Sequence, residues 1–325
     1  MSVLKGKLST LVKFLFAFGL IGFLVYRGDL NFQVLAKIAN PYYFLMGLAL
    51  SFLNILFNNM RWLYLLRSQK INSTFKDSLQ LTLMGIFFNF ALPSSIGGDV
   101  VKAYYVVKEN PHQRMKAATT VIVDRVFGLI IMMAISVVSV IVYWDFVFSH
   151  PELSQAATLL ILGLLGAIVF LLIAFSKKVR RLNGIIQYIH KIPKLGGFYD
   201  ALHSYGSDWG AILKAFLMSV GSQLSAIFFM IVMAYAFGFN DLSWGVYFFA
   251  IPIGFILMSV PIAPAGIGVG QIVFLYLFQT YTGQKIDVGQ LVITAFQLFL
   301  LMWGGLGAFY YVKKKKKIEQ IGATL

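Results

Sequence analysis

Five charged residues stand inside or at the edges of long apolar runs: Arg61, Asp99, Lys102, Asp124 and Arg125. A charge deep in a bilayer costs about 2.5–3.5 kcal/mol on insertion scales, so such residues pair with one another or line a wet cavity. Arg61 shares a helical face with Ser51, Asn54 and Asn58, at offsets that keep all four within one narrow stripe. Thr120, Asp124 and Gly128 form a second stripe, with Arg125 one residue round. Arg61, Lys102 and Arg125 supply cations, which favours an anionic ligand. Structural roles compete with this reading: Arg61 can snorkel to an interface, Asp124 and Arg125 can form a structural ion pair, and Asp99 can cap a helix. Asp124 could also hold Arg125 in place or carry a proton.

Two Pro/Gly breaks frame these charges. The first runs Leu92-Pro93-Ser94-Ser95-Ile96-Gly97-Gly98-Asp99-Val100-Val101-Lys102, and the second Val260-Pro261-Ile262-Ala263-Pro264-Ala265-Gly266-Ile267-Gly268-Val269-Gly270-Gln271. Proline lacks the N–H a helix interior needs, and glycine favours non-helical backbone. Irregular backbone at membrane depth survives only where protein or water satisfies it. Paired breaks in two halves of a chain point to a transporter's binding site. A helix restarting after Gly97-Gly98 would offer N–H groups and a positive dipole end to a phosphate. Candidate substrate contacts are therefore Asn58, Arg61, Pro93, Ser94, Gly97, Gly98, Asp99, Lys102, Asp124 and Arg125 around the first break, and Pro264, Gly266, Gly268 and Gln271 around the second.

The elements that must position these groups are membrane helices. The 325 residues are 59% apolar and 12% charged, a polytopic membrane composition with no stretch left for a sizeable soluble domain. The chain has no cysteine, which excludes disulfides and thiolate chemistry. His112, His150, His190 and His203 lack ligand spacing, so neither a metal nor another cofactor is expected, and no catalytic residue is assigned. The net charge of +15 sits in loops on alternate sides of the apolar runs, the positive-inside pattern, which argues against nucleic acid as a partner.

Charge placement sets the topology. Six full spans are predicted near 8–26, 42–66, 117–143, 156–175, 210–238 and 288–312, with both termini cytoplasmic. The segments 78–107 and 246–282 then each enter and leave on one side. Their arms, roughly 10 to 15 residues or about 15–22 Å, are too short for a core of about 30 Å. The predicted fold is one all-α integral membrane domain over 1–325: a bundle of six spans plus two oppositely inserted re-entrant hairpins. It forms an inverted repeat with halves of about 1–143 and 156–312. A cytoplasmic connection, 177–209, carries Leu182, Ile185, Ile186, Ile189 and Ile192 at helical spacing, as an interfacial helix or a solvated connector. Eight ordinary kinked spans is the alternative fold. In the second half, Ser219, Ser222 and Gln223, then Gln290, Thr294, Gln297 and Gly304, form uncharged stripes that also suit helix packing.

Three motifs in order, Leu92-Pro93 through Gly97-Gly98-Asp99 with Lys102, then Val123-Asp124-Arg125-Val126-Phe127-Gly128, then Pro264-Ala265-Gly266-Ile267-Gly268, resemble the lysylphosphatidylglycerol synthetase transmembrane-region family, also called flippase-like membrane proteins. The resemblance covers nearly the whole chain. It departs at Gly270-Gln271, where the family often has Arg-Glu. It implies lipid translocation, as held for the flippase region of multiple peptide resistance factors. Their synthase domain has no counterpart in this sequence, so transport without lipid synthesis is expected. The expected function is movement of a phospholipid or phosphate-headed lipid-linked precursor across a bacterial inner membrane, with membrane lipids as partners and homo-oligomer formation open. A membrane-embedded transferase acting on lipid-linked substrates, or a partner subunit of one, is the alternative.

Overall fold

The computed structural model describes residues 32–92, 96–175 and 193–323, together with Gly19, Gly22 and Tyr26. The described residues are helical, without strands. Five helices are long and apolar enough to cross a membrane: Pro41–Ser68, Pro111–Val142, Pro151–Ile173, Trp209–Phe237 and Val288–Lys314. They coincide with five of the six predicted spans. The sixth, 8–26, apart from Gly19, Gly22 and Tyr26, and the Leu182 to Ile192 stripe lie outside the described residues.

In chain order the α-helices of six residues or more among the described residues are α1 (Pro41–Ser68), α2 (Phe75–Ala91), α3 (Gly97–Glu109), α4 (Arg114–Val142), α5 (Trp144–Ser149), α6 (Pro151–Phe175), α7 (Pro193–Ser204), α8 (Trp209–Phe237), α9 (Trp244–Met258), α10 (Val269–Thr282) and α11 (Val288–Ala323). Helices α2, α3, α9 and α10 have 17, 13, 15 and 14 residues. At about 1.5 Å per residue each is shorter than a bilayer core of about 30 Å. The sequence breaks thus appear as pairs of short helices, α2 with α3 and α9 with α10, the second pair joined by irregular backbone.

Two compact units share the chain. One takes the residues up to Ile55, Gln80–Val101 and Leu224 onwards; the other takes Leu56–Leu79 and Lys102–Gln223.

In the second of these units, the turn after α1 holds Lys70, a non-glycine residue at φ 59°. The Ile71 N–H returns to the Leu66 carbonyl at 3.1 Å, the six-to-one bond of a Schellman stop. Thr74 then caps α2. Its Oγ1 accepts from the Asp77 N–H at 3.1 Å and donates to Asp77 Oδ2 at 2.5 Å. Helices α4, α6 and α7 pack together here. The other face of α6 carries exposed Leu159, Leu162, Leu165, Phe170 and Leu172, the surface a lipid-facing span presents.

In the first unit, α9, α10 and α11 pack in sequence around Phe249, Phe274, Phe278 and Phe299. Backbones approach closely at glycines: a Cβ on Gly98 would lie 2.1 Å from the Gly85 carbonyl, and one on Gly307 only 2.0 Å from that of Leu83. The second break is irregular because Ala265, Gly266 and Gly268 all adopt positive φ, at 48°, 69° and 81°.

Candidate functional site

Among the described residues, the buried charged side chains are Arg61, Lys102 and Asp124. They come from α1, α3 and α4 and meet inside one unit. Arg61 Nε donates to Asp124 Oδ1 at 2.6 Å, and Lys102 Nζ lies 3.6 Å from Asp124 Oδ2. Their side chains are between 7% and 9% exposed. Two cations around one carboxylate leave the cluster at a formal charge of +1.

The helices deliver these groups by register. Gly128, one turn beyond Asp124, admits the guanidinium: a Cβ there would sit 3.2 Å from Arg61 Nη1. Arg61 Nη1 also donates to Ser219 Oγ at 3.4 Å, and the Ser219 hydroxyl donates in turn to the Ala215 carbonyl at 2.9 Å. Arg61 is therefore clamped from two helices.

Lys102 is held more loosely. Its ammonium stands 4.5 Å from the centre of the Trp62 ring, a cation–π contact, while its ion pair exceeds ordinary hydrogen-bond length. Trp62 is fully buried and fixed by donation from Nε1 to Thr120 Oγ1 at 3.1 Å. Sequence reasoning missed Trp62. Its available signal was position, immediately after a charged residue in the polar stripe of α1.

Asn58 is half-buried one turn before Arg61, and Arg125 is half-buried beside Asp124. Asp99 lies half-buried in the first turn of α3, behind buried Gly97 and Gly98. The Gly98 N–H is taken by Asn89 Oδ1 at 2.8 Å, and Asp99 and Val100 donate to the Ile96 carbonyl. Asn89, a polar residue in an apolar arm nine positions before Gly98, is thus a cap that sequence reasoning overlooked. Pro93 and Ser94 lie outside the described residues.

The residues of the second break form a separate, uncharged cluster. Gln271, 1% exposed, accepts from the Gly268 N–H at 2.8 Å and donates to Thr294 Oγ1 at 3.0 Å and Gln297 Oε1 at 2.7 Å. Gln297 donates to the Ala265 carbonyl at 3.1 Å. Pro264 and Gly266 are buried in the irregular turn this network ties down.

Outside the spans, burial first and then the charge of Asp124 push the Tyr205 phenol above its ordinary range. No three His, Asp or Glu side chains among the described residues are grouped as a metal would require.

The family model of the lysylphosphatidylglycerol synthase TM region matches residues 10–307, a span that contains both breaks and all three buried charges. The chain belongs to this family. Among similar proteins, a UPF0104 membrane protein of Methanocaldococcus jannaschii is 23% identical over 294 residues, 86% of each chain. UPF0104 membrane proteins of Methanothermobacter thermautotrophicus and Pyrococcus horikoshii are 26% identical over 141 and 157 residues. Those matches cover 42% and 46% of this chain and 39% and 44% of theirs. No solved structure matches. As a member of the synthase TM-region family with apolar helices of spanning length, this chain is a multi-pass membrane protein.

Proposed function

We propose that this protein translocates a lipid with an anionic, phosphate-bearing headgroup between membrane leaflets. The observation that carries the reading is the buried Arg61–Asp124–Lys102 cluster, with its net charge of +1. Desolvating three charges is expensive, and a neutral pair would have been the cheaper structural solution. A second cation held loosely against Trp62 is what an anion-binding site needs, because Lys102 can turn from Asp124 to a ligand oxygen without breaking a short bond. Membership of a family described by a lipid-synthase membrane region agrees with a lipid ligand.

Charge balance favours a phosphodiester headgroup. Its single negative charge neutralises the cluster, whereas a phosphomonoester carries about −1.5 to −2 at pH 7 and overcompensates it. In this reading α2–α3 and α9–α10 are re-entrant hairpins inserted from opposite faces, the acyl chains stay in the bilayer, and the chain sits in a bacterial inner membrane with cytoplasmic termini.

The test is leaflet exchange of quenchable lipids in vesicles holding the purified protein. Phosphatidylglycerol, aminoacylated phosphatidylglycerol and polyprenyl phosphate are compared. Faster exchange of the phosphodiesters is expected. Equal rates for all lipids, matching empty vesicles, would remove the proposal.

A further inference from the structure

Helix α11 presents Gln290, Thr294 and Gln297 on one face, at offsets of zero, four and seven. Gln271 of α10 binds the second and third of these. The first is different. Gln290 is fully buried, yet neither its Oε1 nor its Nε2 has a hydrogen-bond partner among the described residues. A buried amide with both ends unpaired is costly and calls for an explanation.

We propose that Gln290 belongs to a second register of the same helix pair, in which α10 has moved one turn along α11 and Gln271 bonds to Gln290 and Thr294. The stations are one turn apart, about 5.4 Å, the step of a helix ratchet. Thr294 serves both registers, so a single acceptor changes.

The interface suits such a step. Gly289 lies so close to the Phe274 carbonyl that a Cβ would be 2.2 Å from it, so at this contact no methyl group has to climb over its neighbour. The connection Gly283 to Asp287 begins at a left-handed glycine with φ 66° and has five residues to absorb the shift. Moving Gln271 also withdraws its amide from Gln297, which holds the Ala265 carbonyl. The ratchet thereby loosens the second break. This inference concerns the hairpin's motion and stands apart from the identity of the ligand.

The chain has no cysteine, so spin labels go only where cysteines are introduced. Tyr276→Cys on α10 and Met302→Cys on α11 are exposed sites whose separation reads the register. In lipid nanodiscs of phosphatidylglycerol and phosphatidylethanolamine, pulsed electron–electron distances should show two populations about 5 Å apart. Gln290→Leu should cut the longer population at least fivefold and raise Tm, and Gln297→Leu should enrich it. One shared distance in all three proteins would overturn the proposal, as would a longer population that survives Gln290→Leu. Should Gln297→Leu fail to fold, the pair of wild type and Gln290→Leu decides. Lipid exchange is not part of the readout, so this result and the transport result stand or fall separately.

Discussion

Replacing Lys102 by Met separates ligand binding from stability. Lys102 makes no short bond: its partners are Asp124 Oδ2 at 3.6 Å and the Trp62 ring at 4.5 Å. Methionine keeps the unbranched stem against Trp62 and leaves the 2.6 Å Arg61–Asp124 pair as a neutral unit. The stability cost is therefore about 1 kcal/mol, the scale of a cation–π contact plus a long ion pair. The binding cost is larger. A hydrogen bond from a charged donor is worth about 1.5–3 kcal/mol, which weakens the anionic ligand about 10- to 150-fold. Asp124→Asn does the reverse, leaving two buried cations without their shared counter-charge, and should destabilise the fold by about 3–5 kcal/mol. Thermal unfolding in detergent and lipid exchange in vesicles read the two effects separately. Full exchange by Lys102→Met, or a stability loss equal to that of Asp124→Asn, would refute the assignment of Lys102 as the ligand-facing cation.

Other outcomes follow from single contacts. Gly128→Val should push Arg61 off Asp124, because even a methyl would stand 3.2 Å from Nη1, and both Tm and exchange should fall. Lys70→Gly should raise stability by about 1 kcal/mol, since glycine accepts the φ of 59° without strain; unchanged Tm would show that Lys70 has compensating contacts. Thr74→Ala should cost about 1 kcal/mol through loss of the α2 cap, seen as a lower Tm. The buried Tyr205 phenol has a raised pKa, so its contribution is complete below the unfolded value of about 10 and is lost as pH rises beyond it. Tyr205→Phe should flatten that alkaline loss in a pH series of melting curves.

The spans were legible because bilayer thickness demands long apolar runs and nothing in a loop imitates them. Both breaks were legible from proline and glycine chemistry. The wiring of the charges was not. Asp124 and Arg125 are neighbours in sequence, which suggests a pair, but adjacent helical residues point about 100° apart. The Asp124 side chain instead shares the face of Thr120 and Gly128 and meets Arg61, 63 residues upstream, a contact no local period encodes. The open helix start expected at Gly97-Gly98 is in fact capped at the Gly98 N–H by Asn89, because the two short helices cross with their backbones touching. The amide stripe of α11 was visible as a stripe, while its bond to Gln271 depends on how α10 folds back along it.

The central claim is that a phospholipid headgroup sits on the Arg61–Asp124–Lys102 cluster. Native mass spectrometry of the detergent-purified protein tests it most directly. Wild type should retain a phosphodiester lipid that Lys102→Met releases while remaining folded; equal lipid retention by the two proteins would contradict the account.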